Sequence, residues 1–301
     1  MREDRPSATA YLIARSTLAV ARHPVLGQFV PRRSTELSER FVRAGSMCAR
    51  LVSAAGGSRL ARSLDSVLER VTVPGIRLHY ALRKRCLEEV ARAALGDGLR
   101  QVVVLGAGFD TLALRLHDIS PETKFIEVDH PATQRAKIRA LGGDKAAGRN
   151  LRFISLDLAR GSLEGALLSR AEYDEEADTL FVAEGLLMYL PPAEVDLVLD
   201  FVRRHSGRAS RLAFTFMETQ AGGRIGFRQS SRLVNAWLRL RGESFRWGLP
   251  RAQASEFLAA RGLAVRELIN SETLRARYLT AEGLRHQRLA DGECICVCEP
   301  N

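Results

Sequence analysis

The stretch QVVVLGAGFDT (101–111) decides the reading of this chain: a five-residue apolar run passes directly into a Gly-x-Gly turn and then into a helical pattern. Gly106 and Gly108 let the backbone turn tightly and approach a ligand closely, where a Cβ would obstruct it. The third glycine of a dinucleotide fingerprint would fall near Leu112 and is missing. This disfavours a pyrophosphate seated on the helix N-terminus and, with it, an NAD-dependent oxidoreductase.

Downstream, apolar runs alternate with helical patterns. KFIEVD (124–129), LRFISLDL (151–158), DTLFVAEG (178–185) and RLAFTFME (211–218) read as further strands. Helices are expected over 111–116, 131–141, about 162–171 and 192–205. Such a rhythm predicts an α/β fold, with a doubly wound and mostly parallel sheet covered on both faces. After Glu218 the rhythm breaks. A Gly- and Arg-rich stretch is followed by amphipathic segments at 231–241 and 251–261, so that 219–250 reads as an inserted helical lid. LAVRELI (263–269) and ECICVCEP (293–300) predict a closing antiparallel pair. The first 76 residues read as a helical extension, with apolar spacing over 11–21, 36–52 and 60–71, and the domain proper over 77–301 opens on a helical pattern at 87–95.

Acidic residues end three successive strands. Asp129 follows the glycine turn by about 20 residues, the interval at which a carboxylate accepts bonds from ribose hydroxyls, and alternation places Glu127 on the same face. The plainer reading of Asp129 is a cap for the helix opening at His130-Pro131. Asp157 and Glu184 close the next two strands. Three converging carboxylates repel one another unless a cationic, donor-rich ligand lies between them. S-adenosylmethionine (SAM), with its sulfonium, amino group and ribose hydroxyls, suits that crescent.

The residues RKR (83–85), LGAGFDT (105–111), FIEVDHP (125–131) and EGLLMYLPP (184–192) together resemble the leucine carboxyl methyltransferase family, and within it bacterial polyketide O-methyltransferases of the tetracenomycin type. The resemblance covers roughly 77–301. It implies a class I methyltransferase fold with seven strands, SAM as cofactor and carboxyl O-methylation as the chemistry. By position it implies Arg83 at the SAM carboxylate with Arg85 as second candidate, and the turn residues Gly106, Ala107, Gly108 and Asp110 at the methionine part. Asp129 with Glu127 would hold the ribose, Asp157 and Leu158 the adenine, and Glu184 the methionine amino group. Glu88-Glu89 take the place of the paired acids that often follow the Arg-x-Arg segment in polyketide-type members.

A carboxylate acceptor arrives ionised and needs no general base. The six histidines (23, 79, 117, 130, 205, 286) form no recognisable catalytic motif; a hydroxyl or phenol acceptor would have to use His79 or Tyr189. Arg224, Arg228 and Arg246 are candidates to clamp an anionic acceptor, and Tyr189 to line its pocket.

The net charge of +10 is concentrated in residues 1–100 and 224–288, which suits an anionic partner: a small carboxylate or, as the alternative, tRNA. No aromatic-rich RNA motif accompanies it, so nucleic acid is disfavoured. Five cysteines, three of them alternating at 294, 296 and 298, predict a buried strand face in place of disulfides or a metal site. With no apolar run of membrane-spanning length and no secretory h-region, the expected location is the cytoplasm.

Overall fold

β1 (Gln101–Leu105) is buried along its whole length, and its side chains divide between two cores. Val102 and Val104 enter one apolar cluster while Val103 and Leu105 enter another, as the two-residue period of a strand requires when both sheet faces are covered. A computed structural model describes residues 6–45, 69, 71–143 and 148–301, apart from the side chains of 232, 233 and 235. Most of the expected helix over 60–71 and the end of the one over 36–52 lie outside the described residues.

β2 (Lys124–Asp129), β3 (Leu151–Ser155), β4 (Thr179–Ala183) and β5 (Arg211–Glu218) continue the parallel sheet, with β1 central. A two-residue strand β6 (Gly248–Leu249), β7 (Leu263–Ile269) and β8 (Glu293–Pro300) complete it. The order is β3-β2-β1-β4-β5-β8-β7, with β6 added against β5. β8 is antiparallel to both β5 and β7. The closing pair is therefore antiparallel as expected, and the chain-terminal strand lies inside the sheet. The order reverses between β1 and β4, the crevice where open α/β sheets bind ligands.

The first sheet face is covered by α1 (Ala8–Ala21), α2 (Arg32–Ala44), α3 (Ile76–Gly96), α4 (Leu112–Leu116) and α5 (Pro131–Leu141). The opposite face carries α6 (Leu163–Leu167), α7 (Pro192–Arg204) and α9 (Ala254–Ala259), with α8 (Arg232–Arg241) preceding α9 in the chain. α10 (Ser271–Tyr278) returns to the first face through Leu274. Two sequence boundaries shift. The expected helix over 251–261 shrinks to α9 behind a 3-10 turn at Arg251–Gln253, and the pattern at 87–95 is the second half of α3, which also carries Arg83, Lys84 and Arg85.

The N-terminal helices are not an appendage. Leu18, Leu37, Phe41 and Val42 belong to the same core cluster as β1 and α3, so removing them would strip one face of the sheet. Cys294, Cys296 and Cys298 project together into the opposite core, where burial pushes the Cys294 thiol up to about 12. Among the described residues, no helix is long and apolar enough to cross a membrane.

Candidate functional site

The C-terminal ends of β1, β2 and β4 open onto a cavity of about 210 Å³. The glycine turn forms its floor. Gly106 N–H donates to the Val128 carbonyl at 2.8 Å, tying the turn to the tip of β2. Gly106 has φ +63°, and a Cβ there would sit 2.7 Å from Leu186 Cδ1. Any other residue would be strained at that φ and would push the Leu186 side chain aside. Gly108, at φ +49°, faces Ala10 of α1, and Tyr11 packs edge-on against Phe109 at 4.6 Å between ring centroids. The N-terminal helix thus lies directly over the turn, and Ser7, Thr9, Ala10 and Ile13 line the cavity.

Glu243, in the connection after α8, completes this roof. Its carboxylate accepts from the backbone N–H of Ala8 and of Thr9, each at 3.0 Å, and from the Thr9 hydroxyl. A carboxylate at the first turn of α1 satisfies donors that the helix cannot and complements its dipole. The expected insert over 219–250 therefore contributes Gly242, Glu243 and Arg246 to the cavity.

One wall is an ionic cluster. Arg83 Nε donates to Glu184 Oε1 at 2.8 Å, and its Nη1 donates to both oxygens of Glu293, at 2.7 and 2.9 Å. Lys84 bridges Glu184 at 3.0 Å and Asp110 at 3.2 Å. Asp110 also accepts from the Leu112 N–H at 2.8 Å and from the Thr111 N–H, which fixes it at the start of α4. Burial opposes ionisation of both acids, but Lys84 and a hydrogen bond from Glu184 hold Asp110 well below the usual carboxylate range, whereas burial and the nearby Asp110 push Glu184 up.

Asp129 occupies the tip of β2. Burial raises its carboxyl to about 7 against the pull of the His130 N–H and the Lys137 charge, and its Oδ2 has no hydrogen-bond partner among the described residues. A buried carboxylate oxygen left bare beside a cavity is the atom a ligand hydroxyl would satisfy. Beyond it, Asp157 Oδ1 accepts from the Ala159 N–H at 3.1 Å, and Leu158 packs into the core while lining the cavity.

The structure brings together Arg83, Gly106, Ala107, Gly108, Asp110, Asp129, Asp157, Leu158, Glu184, Tyr189 and Arg246 around this one cavity. Four expected residues lie elsewhere. Glu127 is buried in the core, its Oε2 2.6 Å from Lys137 Nζ though off the hydrogen-bonding direction. It sits two residues behind the strand tip, beneath α5 and out of reach of a ligand. Arg85 is exposed and pairs with Glu89 one turn along α3, because a two-residue step turns it to the far side from Arg83. Arg228 is engaged by Glu218 at 2.7 Å and Asp291 at 2.9 Å, and Arg224 by Gln220 and the Arg228 carbonyl. Both stand on the loop after β5, outside the cavity.

Sequence reasoning passed over Lys84, His130, Glu243 and Glu293. Lys84 was within the quoted RKR segment, and a 100° step from Arg83 could have marked it as a neighbour on the same helix side. Glu243 and Glu293 are distant in sequence from every motif, and nothing local signals them.

This strand order, with a glycine turn after β1 and acids at the tips of β2 and β4, is that of the class I methyltransferases. The model of the leucine carboxyl methyltransferase family matches residues 21–203, and the chain belongs to that family. The match begins inside the segment expected to precede the resemblance, in keeping with the packing of α2 on the sheet. Among its relatives are two proteins provisionally named S-adenosyl-L-methionine-dependent methyltransferases. One, from Mycolicibacterium smegmatis, is 40% identical over 154 residues, covering 48% of this chain and 50% of that protein. The other, from Streptomyces avermitilis, is 36% identical over 141 residues, covering 46% and 49%. The chain thus matches about half the length of these relatives. The fold is shared with a Thermobifida fusca protein described provisionally as a methyltransferase (14% identity, TM-score 0.58, covering 99% of this chain and 96% of that one). It is shared also with a DUF574 family protein of Streptomyces avermitilis (14% identity, TM-score 0.56, covering all of both chains).

Proposed function

We propose that this protein is a SAM-dependent O-methyltransferase whose acceptor is a small anionic molecule methylated on a carboxylate oxygen. The observation that carries the reading is the lining of a single cavity, which holds both the bare Oδ2 of Asp129 among acidic strand tips and Arg246, whose side chain has no ion-pair or hydrogen-bond partner among the described residues.

The residues present fit the cofactor. The positive-φ glycines leave an uncluttered floor, Asp129 offers an acceptor for ribose hydroxyls, Leu158 offers an apolar surface for adenine, and Arg83, Lys84 and Glu184 complement an amino-acid zwitterion. When bound, SAM supplies a methyl group on a sulfonium that is a ready leaving group. The protein's task is then alignment and exclusion of water. α1 and Glu243 roof the cavity, and Arg246 is placed to orient an anionic acceptor in bidentate fashion.

The cavity's own proton chemistry favours a carboxylate acceptor over a phenol or alcohol. Burial holds the Tyr189 hydroxyl protonated far above neutrality. His130 Nδ1 accepts from the Ala132 N–H at 3.3 Å, so the ring proton belongs on Nε2 and no free lone pair faces the acceptor. His79, the other base considered, is buried against Glu293 and does not line the cavity. We place this activity in the cytoplasm, where the free thiols of Cys86, Cys294, Cys296 and Cys298 would persist.

Incubation with methyl-labelled SAM and a panel of carboxylic and phenolic metabolites tests the reading. Label transferred to a carboxylic acid and released by mild base, as from a methyl ester, is the expected result. Label retained under base as an ether would overturn the carboxylate assignment.

A further inference from the structure

Glu293 opens β8, beyond the segment matched by the family, and its carboxylate is 1% exposed. It does not line the cavity. Both of its oxygens hold Arg83 Nη1, and Oε2 also lies 2.7 Å from His79 Nε2. His79 Nδ1 is buried with no hydrogen-bond partner among the described residues. Arg83 further stacks its guanidinium 4.7 Å from the centroid of the Tyr80 ring.

We propose that Glu293 sets the charge balance of the cofactor cavity and thereby its preference for a sulfonium cofactor over the uncharged thioether left after transfer. The proposal rests on the reading of this cavity as a SAM site. The wall cluster contains two cations, Arg83 and Lys84, against three carboxylates, Asp110, Glu184 and Glu293. Glu184 donates a hydrogen bond to Asp110, so the charged carboxylates of Asp110 and Glu293 balance the two cations. SAM at neutral pH carries a net charge of one positive unit, and S-adenosylhomocysteine carries none; apart from that charge they differ by a methyl group. Without the carboxylate of Glu293, Arg83 would face Glu184 alone, and the wall would be left with one positive charge in excess, which disfavours a sulfonium and leaves a thioether unaffected.

Asp129 and Asp157 border the cavity, and removal of either would alter contacts together with charge. Glu293 acts from behind Arg83. Its replacement by glutamine keeps the shape and an acceptor oxygen for Nη1 and removes the charge. Structural loosening would weaken both ligands alike, whereas a lost charge acts on the sulfonium alone, so the ratio of the two dissociation constants isolates the proposed role. Over a separation of about 10 Å, an effective dielectric of 20–40 makes one charge worth roughly a four- to sixteen-fold change in that ratio.

Calorimetric titration of the full chain and of Glu293→Gln with SAM and with S-adenosylhomocysteine tests this. The expected result is a ratio Kd(SAM)/Kd(S-adenosylhomocysteine) raised roughly four- to sixteen-fold in the variant. An unchanged ratio overturns the proposal, even if both affinities fall. An unsubstituted chain that binds neither ligand removes the cofactor reading and this proposal with it. Should Glu293→Gln fail to fold, Lys84→Gln removes a cation from the same cluster; Lys84 borders the cavity, so the lost contact weakens both ligands and only the ratio of their dissociation constants reads the charge. There the ratio should fall by a similar factor, and an unchanged ratio again overturns the proposal.

Discussion

Replacing Asp129 with asparagine should make the ligand-free protein more stable at pH 8 while making it a poorer binder of cofactor. Burial holds this carboxyl at about 7 against an ordinary 3.8. Its folded-state value is raised, so the folded protein binds the proton more tightly than the unfolded chain does. Stability is therefore greatest below about pH 4, falls as pH rises from there to about 7, and is flat beyond. The full cost of ionising the group in the folded state is about 4 kcal/mol. An asparagine keeps an acceptor for the His130 N–H but leaves its amide poorly paired where Oδ2 now stands bare, at about 1–3 kcal/mol. The net gain at pH 8 is then about 1–3 kcal/mol, a rise in Tm of about 2–4 °C for each kcal/mol. At pH 5 the gain should disappear, because the wild-type carboxyl is then protonated in the fold. Calorimetric melting at pH 5 and pH 8 decides the matter, with S-adenosylhomocysteine titrated in parallel; its affinity should drop by about 1–3 kcal/mol as ribose donors lose their acceptor. A variant less stable than wild type at both pH values, or one equally shifted at both, would refute the assignment of a bare, desolvated carboxylate to the site.

Arg246→Gln should raise the acceptor KM severalfold and leave S-adenosylhomocysteine affinity unchanged by calorimetry, while Arg224→Gln and Arg228→Gln should alter neither, since both arginines are engaged outside the cavity. Glu127→Gln leaves Lys137 buried without its counter-charge and should cost about 3–5 kcal/mol in urea unfolding. Glu243→Ala removes the acceptor for three donors at the start of α1 and should cost about 1 kcal/mol of stability. It should also speed release of S-adenosylhomocysteine in stopped-flow measurements.

The parallel sheet was legible because its central strands are apolar on both faces and a glycine or an acid stands at or just past each strand end at a recognisable interval. β1 divides its side chains between two cores as that pattern requires. The two-residue β6 was not legible, since a pair of residues carries no periodicity. Site residues were readable where they stood on strand tips next to a turn. Alternation misplaced Glu127 because it gives the face of a strand and not the depth: two residues, roughly 6–7 Å, separate a tip from the layer under α5. The Lys137 that gives Glu127 its partner lies on the buried face of that helix, beside Ala136 and Thr133. The arginines after β5 were read as clamps for an anionic acceptor because a sequence does not display the partners that fold back on them; Asp291 meets Arg228 from 63 positions away. For the same reason Glu243 and Glu293 stayed invisible.

The central claim is that the crevice at the ends of β1, β2 and β4 is a cofactor site for SAM. Isothermal titration of the purified chain with S-adenosylhomocysteine and, separately, with NAD tests it most directly. The account predicts saturable one-to-one binding of S-adenosylhomocysteine, lost with substitution of Asp129 together with Glu184, and no heat from NAD. Binding of NAD with comparable affinity, or S-adenosylhomocysteine binding indifferent to those two carboxylates, would contradict it.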